Sequence, residues 1–145
     1  MNRQDFQDLV DEAYEAIPPS FRLRLRNVAI VVEQEPEAEL LDEMGIVPPD
    51  TLLGLYQGTP LTERGWAFGN ALPDRIVIYQ RPIEESSEDE DEVYAAIAET
   101  LIHEAGHYFG LSEEEIEEIE ERYWRGEDVD DLLPSFDPGP DQQPG

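Results

Sequence analysis

Residues 101–113 read LIHEAGHYFGLSE, and the fold of the chain is decided around this stretch. It lies in a helical pattern, because apolar residues before and within it share one helix face: Val93, Ile97, Leu101 and Tyr108. A helix is therefore predicted here, with this stripe packed against a sheet. Glu104 falls within the same stripe. A lone carboxylate facing a core is unfavourable unless it is paired or lies beside a metal ion, so a purely structural helix does not account for Glu104.

His103 and His107 are four residues apart, so their side chains are neighbours on one face of this helix. Both imidazoles can reach a single zinc ion, roughly 2.0–2.1 Å from each coordinating nitrogen. The spacing therefore predicts a metal-binding pair. Glu104 lies beside the pair, where a carboxylate can act as a general base on water. Gly106 is less favourable than Ala in a helix by about 1 kcal/mol, which indicates a close packing contact or an approach by substrate.

The residues after this helix are predicted to turn the chain back towards the histidine pair. The chain has no cysteine, so a transition metal must be held by imidazole and carboxylate groups. Gly110 suits the left-handed residue that ends a helix. Ser112 and Glu115 form the capping-box pattern of a third helix, whose apolar seam would be Ile116, Ile119 and Tyr123.

Three glutamates are candidates for the third metal ligand. Glu113 falls at the first residue of the third helix, where its carboxylate could complete a site of two imidazoles and one carboxylate with an open position. Glu114 and Glu117 are alternatives. A purely structural explanation is that these acids only occupy the first helical turn, where they complement the helix dipole. The sequence favours Glu113 and leaves the alternatives open.

The first half of the chain predicts one helix and a connecting loop. Apolar residues recur at helical spacing from Asp5 to Ile17, and Pro18-Pro19 ends the pattern. Residues 21–26 alternate and fit either a strand or a helical turn. Residues 35–50 are acidic and rich in proline, and they predict a loop with one helical turn around Leu40–Met44.

Three segments are predicted to form strands. Val28–Val32 is short and rich in β-branched residues, as expected for a buried strand. Leu52–Gln57 and Arg75–Gln80 are strand-like, and the Gly- and Pro-bearing stretch Gly58–Pro73 between them predicts a β-hairpin or meander. An acidic run, residues 84–92, then precedes the helix with the histidines and favours the positive end of its dipole.

Length and composition predict one small domain without nucleic-acid partners. A chain of 145 residues can bury a core without disulfides; we expect a single domain over residues 1–131 and a disordered Pro- and Gly-rich tail over residues 132–145.

The chain has 36 acidic residues against 9 basic ones, for a formal net charge of -27. This charge disfavours nucleic acid and anionic membranes, and it attracts metal cations or basic peptides if it is more than a solvated surface. No stretch resembles a signal peptide or a membrane span, so a cytoplasmic location is expected.

The ordered set His-Glu-x-x-His-x-x-Gly-x-x-Glu resembles the zincin metallopeptidases. Its spacing is similar to that of the metzincins, in which the position of Glu113 holds the third ligand. Metzincins have a histidine or an aspartate at that position and a methionine turn downstream. Here the residue is glutamate, and the only internal methionine, Met44, precedes the helix.

A closer resemblance is to the minimal zincin-like metallopeptidases, which are short bacterial proteins. It rests on residues 27–33, 53–65 and 103–115 and covers most of the chain up to about Trp124. That family typically has aspartate at the position of Glu113. The resemblance implies a compact α+β fold, in which a small mixed or antiparallel sheet of three to four strands packs on the active-site helix. It also implies peptidase activity.

The predicted function is zinc-dependent hydrolysis of peptide bonds, with Glu104 as general base. Tyr108, Tyr123 and Arg64 are candidates for stabilising the oxyanion, and the sequence does not choose among them. Residues 75–80 could form an exposed sheet edge that holds an extended peptide. One alternative is a metal-stabilised acidic module that binds a basic partner and hydrolyses nothing. Another is hydrolysis of a non-peptide amide.

Overall fold

A computed structural model describes residues 1–58 and 74–134. The helices are α1 (Arg3–Ala16), α2 (Pro19–Arg24), α3 (Ala38–Glu43), α4 (Gln80–Glu85), α5 (Glu90–Phe109) and α6 (Glu113–Trp124). The strands are β1 (Val28–Glu33), β2 (Gly54–Gln57) and β3 (Asp74–Tyr79), and a 3-10 turn follows at Asp130–Leu132. The predicted α+β class is confirmed.

The described strands form one mixed sheet in the order β1-β3-β2. Strand β1 runs parallel to β3 with Val31 opposite Val77, and β2 runs antiparallel to β3 with Leu55 opposite Val77. The predicted antiparallel pairing of the second and third strands is therefore confirmed. Of the connection Gly58–Pro73, only Gly58 lies within the described residues.

Strand β3 is the central strand, so the prediction that residues 75–80 form an exposed edge is wrong. Its middle residues Ile76, Val77 and Ile78 are fully buried. A continuous apolar run is typical of a strand that is covered on both faces, whereas a strand with one face towards solvent usually alternates. Within the described ranges, β1 and β2 are the strands with only one neighbour.

The core lies between the sheet and the two longest described helices, α1 and α5. Phe6 and Val10 from α1 pack with Ile97 and Leu101 from α5, and Ile76 from β3 belongs to the same cluster. Burying each of these large side chains contributes about 1.5–3 kcal/mol. This packing fixes α5 beneath the sheet, and α5 carries both histidines.

The remaining elements differ from the sequence predictions in local detail. The helix predicted over residues 5–17 is α1, and Pro18-Pro19 follows it as expected. Residues 21–26, for which the sequence fits either a strand or a helical turn, lie mainly in α2. Pro19 occupies the first position of this helix. Helix α4 follows β3 directly and is not among the predicted elements. Its first residue, Gln80, is the last residue of the predicted strand.

The described residues reach into the tail that the sequence predicts from residue 132 onwards. Leu133 is buried in the core cluster, although the predicted tail begins at Leu132. Residues 135–145 and Arg64 lie outside the described residues. Among the described helices, none combines the length and the apolar character that crossing a bilayer requires.

Candidate metal centre

Helix α5 holds the two histidines near its C-terminal end. The side chain of Asp89 caps its first turn by accepting a 2.9 Å hydrogen bond from the Glu92 amide. At the other end Gly110 has φ 81° and ψ 21°, the left-handed conformation that glycine adopts without strain. The chain therefore leaves α5 at Gly110, as the sequence predicts, and turns into α6.

The start of α6 is fixed by the predicted capping box. The Glu115 amide donates to Ser112 Oγ at 3.1 Å, and the Ser112 amide donates to a Glu115 carboxylate oxygen at 2.8 Å. These hydrogen bonds to Ser112 hold the pKa of Glu115 below its ordinary value. Since Ser112 is the cap, Glu113 becomes the first residue of α6 and lies beside the end of α5.

Gly106 allows α6 to pack closely against α5. A Cβ atom at this position would lie 2.5 Å from Cγ1 of Ile116, which is 1% exposed. Real Cβ contacts are not that short, so any larger residue would push the two helices apart or displace Ile116. The close contact that the sequence indicates at Gly106 is therefore a helix–helix contact.

This packing brings Glu113 against both imidazoles. Nε2 of His107 lies 3.2 Å from one Glu113 carboxylate oxygen, and Nε2 of His103 lies 3.6 Å from the other. The two imidazole side chains are about one third exposed, and their ring centroids are 4.9 Å apart. One donor atom each from His103, Glu104 and His107 lies within 4.8 Å of the others.

The distances from the Glu113 carboxylate to the two imidazoles are compatible with a zinc ion held between them. In a tetrahedral site with Zn–N and Zn–O distances of about 2.0–2.2 Å, neighbouring ligand atoms are about 3.3–3.6 Å apart. The two Nε2–carboxylate distances of 3.2 and 3.6 Å lie close to that range. The donor set, two imidazoles and one carboxylate, is one that catalytic zinc sites use.

Glu114 and Glu117 lie elsewhere on α6. Both line a surface groove together with residues further along the helix, among them Arg122 and Arg125. Of the three glutamates that the sequence leaves open, Glu113 is the one that the structure places against both histidines.

Glu104 is a buried carboxylate beside the histidines. It is 9% exposed, and its Oε1 accepts a 2.8 Å hydrogen bond from the Tyr56 amide. Burial raises the pKa of Glu104 above its ordinary value, and this effect outweighs the opposing effects of the Tyr56 hydrogen bond and of His107 and His103. The carboxylate is thus held in one orientation with an increased proton affinity.

Gly54 lets strand β2 approach α5 closely enough for the contact between Tyr56 and Glu104. A Cβ atom on Gly54 would lie 2.4 Å from Cγ2 of Thr100 and 2.9 Å from the carbonyl oxygen of Val77. Sequence reasoning does not assign a role to Gly54. The available signal is a glycine at the start of a strand, which often marks a close approach by another segment.

Glu120 is a further site residue that the sequence analysis does not identify. Its Oε1 lies 2.7 Å from Nδ1 of His103, on the side of the ring away from Nε2. Burial lowers the pKa of His103, but the Glu120 hydrogen bond and the charges of Glu104, Glu120 and Glu113 outweigh burial and raise it overall. The available signal is spacing, because Glu120 follows Glu113 by seven residues and so shares its helix face.

Comparison with known proteins identifies the family. The family model described as zincin-like metallopeptidase matches residues 25–123, from just before β1 almost to the end of α6. The chain belongs to this family. The match includes every residue of the candidate metal centre described above, and it confirms the family resemblance seen in the sequence. A search of curated proteins gives no match.

One solved structure similar to this zincin-like chain is a conserved hypothetical protein from T. thermophilus. The two share 23% sequence identity, and the TM-score is 0.50. The alignment covers 75% of this chain and 94% of that chain. This likeness supports the fold.

The candidates for oxyanion stabilisation in this zincin-like chain lie in different surroundings. Tyr108 is 4% exposed, and its ring packs edge-to-face with Tyr56 at 5.6 Å. Tyr123 lies near the end of α6, 5.1 Å from the ring of Trp124, and burial raises its pKa. Arg64 is outside the described residues.

A cleft opens next to the metal centre of the zincin-like chain. It has a volume of about 270 Å³ and lies between residues 51–54, which lead into β2, and helix α5. Its walls combine apolar side chains such as Leu52 and Leu53 with the polar groups of Glu99, His103 and Glu104. A ligand in this cleft would therefore lie against both Glu104 and His103.

Proposed function

We propose that this chain is a zinc-dependent peptidase in which His103, His107 and Glu113 hold the metal and Glu104 is the general base. Membership of the zincin-like metallopeptidase family supports the reaction class. The donor atoms of the two histidines and Glu113, with their spacing, support the metal. A zinc ion held by these residues would supply Lewis-acid activation of the scissile carbonyl and of water.

Glu104 performs the proton transfers. Burial raises the pKa of Glu104 towards neutral pH. A group with such a pKa can both take a proton from water and give it to the leaving amine. The Tyr56 amide holds Oε1 in place, so the carboxylate does not have to be oriented at each turnover. Such general acid–base catalysis typically contributes about 10²–10⁴-fold to a rate.

The burial of Glu104 is the observation that carries this proposal. Burying an ionised carboxylate is unfavourable, and an apolar residue at this core-facing position would give a more stable helix. A module that only binds metal has no need of a base within reach of the metal ligands. The hydrogen bond from Tyr56 gives Glu104 a structural contact, but catalysis also accounts for a carboxylate beside the two histidines.

The proposed substrate is an extended peptide in the cleft beside α5. Backbone groups alternate in direction from Leu53 into β2. The carbonyl oxygen of Leu53 accepts from the Tyr79 amide of β3, whereas the Tyr56 amide donates to Glu104 of α5. Leu52 and Leu53 offer apolar contacts to a substrate side chain, and Glu99 adds an acid. The net charge of -27 favours the approach of basic peptides.

The test is cleavage of a broad peptide library by zinc-loaded protein. The rates of Glu104→Gln and of the control Glu121→Gln are compared with that of wild type. Glutamine has nearly the shape of Glu104 and can accept the Tyr56 hydrogen bond, so the fold and the metal should be retained. We expect Glu104→Gln to lose about 10²-fold or more of the cleavage rate. Glu121 is exposed on the groove side of α6, and its variant should match wild type. Equal cleavage by Glu104→Gln and wild type would refute catalysis by this residue. Retained binding of basic peptides without any cleavage would instead favour the non-catalytic module.

A further inference from the structure

His103 makes contacts through both ring nitrogens. Nε2 faces Glu113, whereas Nδ1 lies 2.7 Å from Oε1 of Glu120. The second distance is that of a strong, charge-assisted hydrogen bond. The Glu120 side chain is 17% exposed and the Glu113 side chain is 69% exposed, so the Glu120 contact is the better protected from water.

A neutral imidazole carries one N–H, and its hydrogen-bond partner decides which nitrogen carries it. We propose that Glu120 is a positioning residue that holds His103 as the Nδ1–H tautomer, with the Nε2 lone pair directed at the metal position beside His107 and Glu113. This inference rests on the proposed metal site. Carboxylates that orient a metal-binding histidine in this way typically change metal affinity by about 10–100-fold.

The position of Glu120 is fixed by the packing of α6. Its neighbour Ile119 and Ile116 one turn earlier are each 1% exposed, and Ile116 packs directly on Gly106 of α5. Glu113 and Glu120 lie two turns apart on the helix face towards His103. A single packed helix therefore supplies both the third ligand and the group that orients the first.

A different explanation of Glu120 is a purely structural one, in which it pairs with its other neighbour, Glu99. Burial raises the pKa of Glu99, and the charge of Glu120 and a hydrogen bond to it raise the pKa further. Glu99 in its protonated form can donate a hydrogen bond to Glu120. This pairing would account for Glu120 without any role at a metal site. The experiment must therefore read out the tautomer of His103 and the zinc affinity as well as stability.

The first measurement is ¹⁵N NMR of the metal-free protein at about pH 9, above the ordinary histidine pKa of about 6.5. The chain has only two histidines, so a His107→Ala variant assigns the spectrum. We expect His103 to be the Nδ1–H tautomer in wild type and in Glu121→Gln. In Glu120→Ala it should change towards the Nε2–H tautomer, which isolated imidazoles prefer. A wild-type tautomer in Glu120→Ala, or the Nε2–H tautomer in wild type, would overturn the proposal.

The second measurement is zinc affinity by competition with a chelator. Glu120→Ala should bind zinc about 10–100-fold more weakly than wild type. Glu120→Gln should lose less, because its amide oxygen can accept the same hydrogen bond. Wild-type affinity in Glu120→Ala, or an equal loss in Glu120→Gln and Glu120→Ala, would overturn the role of Glu120. Wild-type protein that binds no zinc would refute the proposed function, and the tautomer would still report on Glu120 by itself.

Discussion

The backbone amide of Tyr56 in β2 donates a 2.8 Å hydrogen bond to Oε1 of Glu104 in α5. This bond joins β2, an edge strand among the described strands, to α5, the helix that carries the histidines. It satisfies one oxygen of a buried carboxylate and also sets the direction of that carboxylate. The orientation of the proposed general base therefore depends on how closely β2 approaches α5.

The Gly54→Ala substitution tests that dependence. The added Cβ would lie 2.4 Å from Thr100 Cγ2 and 2.9 Å from a backbone carbonyl, so β2 must move away from α5. We expect a loss of roughly 1–3 kcal/mol in the free energy of unfolding, measured by urea titration. The rate of peptide cleavage should fall as well. Gly45→Ala is the control, because a Cβ there meets nothing within 4 Å. Because Gly45 has a left-handed backbone conformation, alanine there should lower the stability without changing the cleavage rate. Wild-type cleavage by Gly54→Ala would show that the close approach is not needed.

A double-mutant cycle at Gly106 and Ile116 tests the contact between α5 and α6. On helix propensity alone, Gly106→Ala should stabilise the protein by about 1 kcal/mol. The 2.5 Å contact with Ile116 Cγ1 should reverse this sign and destabilise the protein by about 1–3 kcal/mol. In an Ile116→Ala background the contact is gone, so Gly106→Ala should become neutral or stabilising. Urea unfolding of the four proteins gives the coupling energy. Additive effects would contradict the close packing.

The third ligand is tested by alanine substitution of the three candidate glutamates. Glu113→Ala should weaken zinc binding strongly, because Glu113 is placed against Nε2 of both histidines. Glu114→Ala and Glu117→Ala should retain wild-type affinity, because both residues line a groove elsewhere on α6. Isothermal titration with zinc in a competing buffer separates these outcomes. A large loss in Glu114→Ala or Glu117→Ala together with an unaffected Glu113→Ala would assign the ligand differently.

Zinc affinity should depend on pH through His103. Burial lowers its pKa, but the hydrogen bond to Glu120 and the nearby carboxylates raise it above the ordinary value overall. A raised pKa stabilises the protonated form, so this contribution to the stability of the metal-free protein is present below about pH 6.5 and is lost as pH rises through the folded-state pKa. Zinc must displace that proton, so its affinity should fall by up to about tenfold per pH unit below that pKa. Calorimetry in buffers of different ionisation enthalpy should detect the released proton. Affinity that does not change between about pH 8 and pH 5.5 would contradict this expectation.

The sequence predicts the helical part of the site well because the relevant signals are local. The apolar stripe of α5, the glycine at its end and the capping box of α6 each lie within a few residues of the structure they produce. These signals favour Glu113 over Glu114 and Glu117 as the residue beside the histidines, and the structure has Glu113 against both of them. The family resemblance supplies the α+β fold.

The contacts made across the fold are not visible in the sequence. The bond from Tyr56 to Glu104 uses a backbone amide, which every residue except proline has, so the identity of Tyr56 carries no signal for it. The central position of β3 depends on which strands pair with it. The role of Glu120 depends on the angle at which α6 packs on α5, and one acid among many on that helix gives no local indication.

Zinc content is the measurement that tests the metal site most directly. Purified protein incubated with zinc and then dialysed should retain about one zinc per chain by native mass spectrometry. His103→Ala and His107→Ala should each lose the ion, whereas Glu121→Gln should keep it. Full zinc occupancy in either histidine variant, or none in wild type, would contradict the site formed by His103, His107 and Glu113.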